Sequence, residues 1–437
     1  MSVAATVPMT RRDAPVVEVR DLRVHFHSKE RVVRAVDGVS FDLHENEILG
    51  IVGETGSGKS VTARSLMGLL PMPPALIAGG TATFRPGSRC PGCGGSGCGA
   101  CGGTGTAVCG HCSGAGCERC DHTGRPAIDL LQLSPRQLRA VRGARIAMIF
   151  QDPSKSLNPV LSVRDQLAEV FYQHRSAELL EVLGDHPSAL MRRAAHEESR
   201  RAERMLLRIP PFRSEGRRLR ARVDDLVAAA LAEVQIANPR KVMQSHPHEL
   251  SGGMKQRVMI AQAMACDPDV LIADEPTTAL DTTVQARIIE LIVELQQRRR
   301  AAVLYISHDL SVIRMVCDRV AVLYAGQVAE IGSASELFAT PLHPYTRALL
   351  AAIPSVDHQR GHLAAIGGSV PEFSDPTPRC RFSNRCPHAA PICTAVDPPL
   401  RAMGGTHAVA CFGYERGEDY GVSESEMPTV DAARGAA

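Results

Sequence analysis

GETGSGKS, residues Gly53 to Ser60, is the stretch from which the rest of the chain is read. It follows a short apolar run, EILGIVG, and opens a segment of helical character over residues 59–70. Glycines at Gly53, Gly56 and Gly58 let backbone N–H groups close around phosphate oxygens, and a helix N-terminus adds a favourable dipole. In the pattern G-x-x-x-x-G-K-[ST], Lys59 reaches the β- and γ-phosphates and Ser60 holds Mg²⁺. The competing reading is a chance glycine-rich turn, and a strand before it with a helix after it speaks against that.

Working outward, residues 15–52 alternate and then become apolar, which predicts strands leading into the loop. ARIAMIF (144–150), DVLIADEP (269–276) and AAVLYIS (301–307) are short apolar runs, as expected of strands buried on both faces of a parallel sheet. A helix from about Thr283 to Arg299 makes the last two a βαβ unit, and RVAVLYAGQVAEIG (319–332) reads as a hairpin turning near Ala325-Gly326. Residues 165–236 read as helices. Asp274 ends one of the buried strands, where a carboxylate is placed to hold Mg²⁺. Glu275 follows it and is placed to orient or deprotonate a water. Alone, the pair reads as a solvated acidic strand end; with the phosphate loop it reads as catalytic.

Further motifs carry a resemblance. LSGGMKQR (Leu250–Arg257), TALD (Thr278–Asp281), SHD (Ser307–Asp309) and FQDP (Phe150–Pro153) stand in the order and spacing of ABC-type ATPases. The resemblance covers residues 15–340, less two inserts. It implies an α/β fold, the P-loop NTPase of ABC type, with a RecA-like core, an antiparallel β-subdomain and a helical subdomain. It also implies that two such domains pack head to tail around two ATP molecules. The phosphate loop of one then faces Ser251, Gly252 and Gly253 of the other. By the same resemblance Glu275 is the general base and His308 contacts the γ-phosphate. Gln151 senses Mg²⁺ and passes the change to the membrane partner, Asp281 bridges the dimer, and Phe26 stacks on adenine, with His25 and His27 as neighbours able to take that place.

LHPYTRALLAAIP (342–354) and CRFSNRCPHAAPIC (380–393) are similar to the C-terminal extension of oligopeptide and dipeptide importer ATPases, here residues 341–412. In that group four cysteines, matched by Cys380, Cys386, Cys393 and Cys411, hold a [4Fe–4S] cluster. Zinc suits four thiolates equally by chemistry. The resemblance implies two membrane permease subunits and a second ATPase, identical or different, as partners. It implies an extracytoplasmic solute-binding protein indirectly.

The chain has 14 cysteines, and eight of them form four C-x-x-C pairs inside an insert over 88–124. Cys90 pairs with Cys93, Cys98 with Cys101, Cys109 with Cys112 and Cys117 with Cys120, and a glycine-containing tail follows each pair. The repeat resembles the zinc domain of J-domain co-chaperones, which implies two Zn²⁺ ions in Cys₄ sites. CGHC (109–112) also reads as a thiol–disulfide exchange motif, without a thioredoxin-like βαβ surround. A second insert, 175–225, carries 11 Arg between Arg192 and Arg222 against four Glu. It reads as a solvated helical face or as a contact for anionic lipid or nucleic acid. Residues 413–437 are acidic and aperiodic, a candidate disordered tail. Net charge is +2, so there is no global attraction to nucleic acid. That speaks against the rival to the importer reading, a nucleic-acid-acting ABC ATPase of the excision-repair kind. No secretory signal or membrane-spanning run is apparent. The expected location is peripheral, at the cytoplasmic face of the cell membrane.

Overall fold

The computed structural model describes residues 14–29, 31–86, 126–181, 213–278, 280–352, 366–371, 374 and 379–414. The insert over 88–124 lies outside the described residues, and with it all eight expected zinc ligands: Cys90, Cys93, Cys98, Cys101, Cys109, Cys112, Cys117 and Cys120. Much of the arginine-rich insert and nearly all of the C-terminal tail lie outside them too. Twelve strands are described: β1 Val17–His27, β2 Val32–Leu43, β3 Ile48–Val52, β4 Ala75–Phe84, β5 Ile128–Asp129, β6 Ile146–Ile149, β7 Val270–Asp274, β8 Ala302–Ile306, β9 Arg319–Tyr324, β10 Gln327–Ser333, β11 Arg401–Gly404 and β12 His407–Val409. They are distributed over two compact units, one ending at Ser134 and resuming at Ala302, the other spanning Pro135–Ala301.

The first unit holds two sheets. An antiparallel sheet runs β2-β1-β4-β5, with Val17 opposite both Leu43 and Phe84. β4 and β5 pair through Phe84 and Ile128, so the chain enters and leaves the cysteine-rich insert on adjacent strands. In the other sheet β3 lies parallel between β8 and β9, through Ile48↔Val303 and Leu49↔Arg319. Every residue of β3 and β8 is buried, which is why both read as unbroken apolar runs. β9 and β10 form the expected hairpin, with Ala325 and Gly326 both at positive φ (45° and 83°), as its tight turn requires.

The C-terminal segment is built into this unit. β12 extends the sheet beside β10, with Val409 opposite Glu330. Glu330 is completely buried. Its carboxylate accepts the Leu342 and His343 N–H groups at 2.8 and 2.9 Å and pairs with His407 Nε2 at 2.7 Å. A buried carboxylate persists only with such compensation.

In the second unit β6 and β7 run parallel, Ile149 opposite Ala273. The helices Val163–His174 and Arg213–Glu233 bury Leu167 and Phe171, and Val223, Val227 and Leu231, respectively. Within the described part of the arginine-rich insert, Arg222 pairs with Glu178 at 2.7 Å and Arg220 donates to the Gly216 carbonyl. Both contacts are part-buried.

Candidate functional site

In the first unit, the buried strand β3 delivers the chain into Gly53–Gly58, and the helix Lys59–Leu66 follows at once. Gly53, Gly56 and Gly58 all have positive φ, at 150°, 85° and 98°. A Cβ at Gly53 would stand 2.2 Å from the Leu323 carbonyl oxygen, and one at Gly58 would stand 2.5 Å from the Ala35 carbonyl oxygen. The loop is therefore pressed between β2 and the end of β9, and only glycine fits at those two positions. Lys59 is buried, and its ammonium donates to the carbonyls of Gly53 and Glu54 at 2.7 and 2.9 Å. The lysine thus bridges its own loop, with the charge held among backbone oxygens. Ser60 lies in the first turn of the helix, where no acidic residue occurs. That end offers N–H groups and positive dipole to an anion.

His308 is exposed just past the buried strand β8. Ser307 accepts the Asp309 N–H at 2.9 Å, and Asp309 caps the helix Leu310–Val316 through the Ser311 N–H at 2.9 Å. These caps fix the backbone on either side of the histidine. Phe26 is half-buried near the end of β1, opposite Val33 and Ala75.

In the second unit the register of β6 and β7 does the positioning. Ile149 opposes Ala273, so two residues further on Gln151 comes beside Glu275. Gln151 Nε2 donates to Glu275 Oε2 at 2.7 Å, and Thr278 Oγ1 donates to the same oxygen at 3.0 Å. Asp274 closes β7, almost fully buried. Glu275 has φ +48°, the left-handed region that a non-glycine residue enters at a cost. Sequence reasoning reaches Thr278 only as the first letter of TALD; a hydroxyl three residues after the candidate base Glu275 is the signal for it.

Ser251 caps the helix Gly252–Met264, its Oγ accepting the Met254 N–H at 3.3 Å. A Cβ at Gly253 would meet the Val284 side chain at 2.9 Å, so the helix start packs tightly on the one that Asp281 caps at 2.9 Å through the Val284 N–H. Ser251, Gly252 and Asp281 are all exposed.

The C-terminal cysteines, spread over residues 380–411, converge. Cys380, Cys386, Cys393 and Cys411 line one cavity of about 30 Å³, together with His343 and Phe382. Burial pushes the Cys380 thiol up to about 12 and the Cys411 thiol up to about 11, and raises that of Cys386. Backbone N–H groups of Phe382, His388 and Gly413 oppose the rise, each hydrogen-bonded to the sulfur two residues before it. Among the described residues no three His, Cys, Asp or Glu side chains stand where a single metal ion could be held. The other two described thiols, Cys266 and Cys317, are raised by burial, the first to about 12.

Residues 36–99 and 118–278 match the ABC transporter family, and residues 329–393 match the oligopeptide/dipeptide transporter C-terminal region. A probable peptide ABC transporter ATP-binding protein of Sinorhizobium fredii is 40% identical over 91% of this chain and 94% of its own length. The oligopeptide transport ATP-binding protein OppD of Salmonella typhimurium is 38% identical over 94% of this chain and 98% of its own. The dipeptide transport ATP-binding protein DppD of Bacillus subtilis is 36% identical over 93% and 97%. The fold and these matches define an ABC-type P-loop ATPase. More narrowly, the chain belongs to the family of ATP-binding subunits of oligopeptide/dipeptide ABC transporters. It binds and hydrolyses ATP.

Proposed function

We propose that this chain powers the import of peptides through two membrane permease subunits, paired with a second ABC ATPase at the cytoplasmic face of the membrane. The observation that carries the proposal is the identity of 36–40% with relatives named for peptide transport, sustained over at least 91% of this chain. No helix among the described residues is long and apolar enough to cross a membrane, so attachment runs through the permeases in this reading. A solute-binding protein outside the membrane supplies the peptide.

In the hydrolytic cycle Lys59 and the N–H groups of Gly53, Gly56 and Gly58 bind the β- and γ-phosphates. Ser60 is a hard oxygen donor that would hold Mg²⁺, and Asp274 one that would hold it through water; the ion would neutralise charge on the phosphates. Phe26 stacks on adenine. Glu275 takes the proton of the attacking water, and the Gln151 and Thr278 hydrogen bonds aim its carboxylate. His308 holds the γ-phosphate. Ser251, Gly252 and Gly253 present backbone N–H groups to the nucleotide of the second subunit, and Asp281 lines that interface.

The four C-terminal cysteines match the ligand set by which the importer family's extension holds a [4Fe–4S] cluster. They line one cavity, thiolates are soft ligands, and three of the sulfurs receive backbone N–H groups. Bound there, a cluster would tie residues 380–411 to one another. In the insert, the pairs that Cys90, Cys98, Cys109 and Cys117 make with Cys93, Cys101, Cys112 and Cys120 suit two Zn²⁺ ions by their spacing.

Affinity purification of the tagged chain from membranes in mild detergent, followed by mass spectrometry, tests the assembly. Two polytopic membrane proteins and a second ATPase are expected. A preparation carrying only nucleic acid and its processing proteins would overturn it.

A further inference from the structure

The C-terminal segment reaches into the phosphate loop. Arg385, just before Cys386, forks the Glu54 carboxylate, with Nη1 to Oε2 at 2.7 Å and Nη2 to Oε1 at 3.1 Å. Glu54 is the second residue of GETGSGKS and its only acid. The Arg385 side chain is 7% exposed, and its other N–H groups go to the Gly367 carbonyl at 2.7 Å and the Tyr324 hydroxyl at 3.1 Å. The Glu54 backbone N–H donates to the Tyr345 hydroxyl at 2.9 Å, and the Glu54 carbonyl accepts Lys59 Nζ at 2.9 Å. One residue of the loop is thus held at side chain and N–H by the extension, and at its carbonyl by the phosphate-binding lysine. A second strut lies beside it. Arg381, just after Cys380, bonds to Asp37 and to the Ala325 carbonyl, while the adjoining Gly326 donates to the Ser57 carbonyl at 2.9 Å.

We propose that Arg385 is a positioning residue for nucleotide binding. It neutralises the one carboxylate of the phosphate loop and holds the Glu54 peptide on which Lys59 rests. A bare carboxylate in an anion-binding loop repels a triphosphate, whereas a forked one presents no net charge. The planar fork is specific to arginine, since an ammonium makes point contacts. Cys380 and Cys386 bracket Arg381 and Arg385, so whatever holds the two sulfurs also holds the clamp. The inference rests on the reading of Gly53–Ser60 as the nucleotide site.

The test is calorimetric titration of MgATP into the full chain, with thermal melting of each variant alongside. Arg385→Met is expected to weaken binding about tenfold, from an uncompensated charge beside the phosphates. In a Glu54→Gln background the same substitution is expected to cost less than about twofold, because the charge it exposes is gone. An equal loss in both backgrounds, or none in either, overturns the proposal. Should Arg385→Met fail to fold, Arg385→Lys keeps the charge without the fork. It is expected to weaken binding about threefold, and unchanged affinity then overturns the proposal. Lys59→Ala separates the two readings. If it binds MgATP as tightly as the wild type, the assignment of the loop itself fails; if it loses binding while the arginine variants do not, only the clamp fails.

Discussion

Glu275 combines a left-handed backbone, at φ +48°, with a carboxylate fastened by Gln151 and Thr278. Strain of that kind persists where the surroundings over-determine it. Glu275→Gln keeps the shape and hydrogen-bonding reach but cannot take a proton. Phosphate release is expected to fall about 10²- to 10⁴-fold with MgATP binding retained; hydrolysis near the wild-type rate would remove Glu275 from the base role. Gln151 and Glu275 were each legible as motifs. Their hydrogen bond was not, because it depends on the register of two strands separated by 124 residues. The Arg385–Glu54 fork was hidden for the same reason: CRFSNRC stands out for its cysteines, and nothing in it points to a glutamate 331 residues away.

Among the elements, the phosphate loop separates two kinds of glycine. Gly53 and Gly58 combine positive φ with a carbonyl oxygen within 2.5 Å of any added Cβ, whereas Gly56 has only the positive φ and open space around it. Gly53→Ala and Gly58→Ala are expected to cost about 2–4 kcal/mol and to distort the loop. Gly56→Ala is expected to cost only about 1–2 kcal/mol. Denaturant titration ranks the three, and equal costs would contradict the geometry. The helix Val163–His174 carries a pH-dependent element at its end, where burial holds the His174 imidazole below its usual pKa. The folded chain keeps it neutral while the unfolded chain takes up a proton below about pH 6.5. Its contribution is complete above that pH and is lost as the pH falls below it. His174→Gln should therefore lose less stability than the wild type between about pH 7 and 5. Parallel curves for the two would exclude the histidine as the source.

Across the whole molecule, the parallel strands around the loop were readable from apolar runs alone, since strands buried on both faces carry no alternation. The way the extension is fastened was not. β12 joins β10, and Glu330 gathers Leu342, His343 and His407. These are long-range pairings that local spacing does not encode. Anaerobically purified chain is expected to carry about four iron and four acid-labile sulfides at the four C-terminal cysteines. Cys386→Ser should lose them and lower the melting temperature. Zinc as the sole metal, lost with Cys386→Ser, would show that the site holds a single ion.

ATP hydrolysis by this chain drives peptide uptake. It is tested most directly by the uptake of a radiolabelled di- or oligopeptide into cells whose own copy carries Glu275→Gln, beside cells with the wild-type copy. Peptide uptake is expected to collapse while uptake of free amino acids is unchanged. Undiminished uptake across a range of peptides, with the variant shown to be present at the membrane, would contradict it.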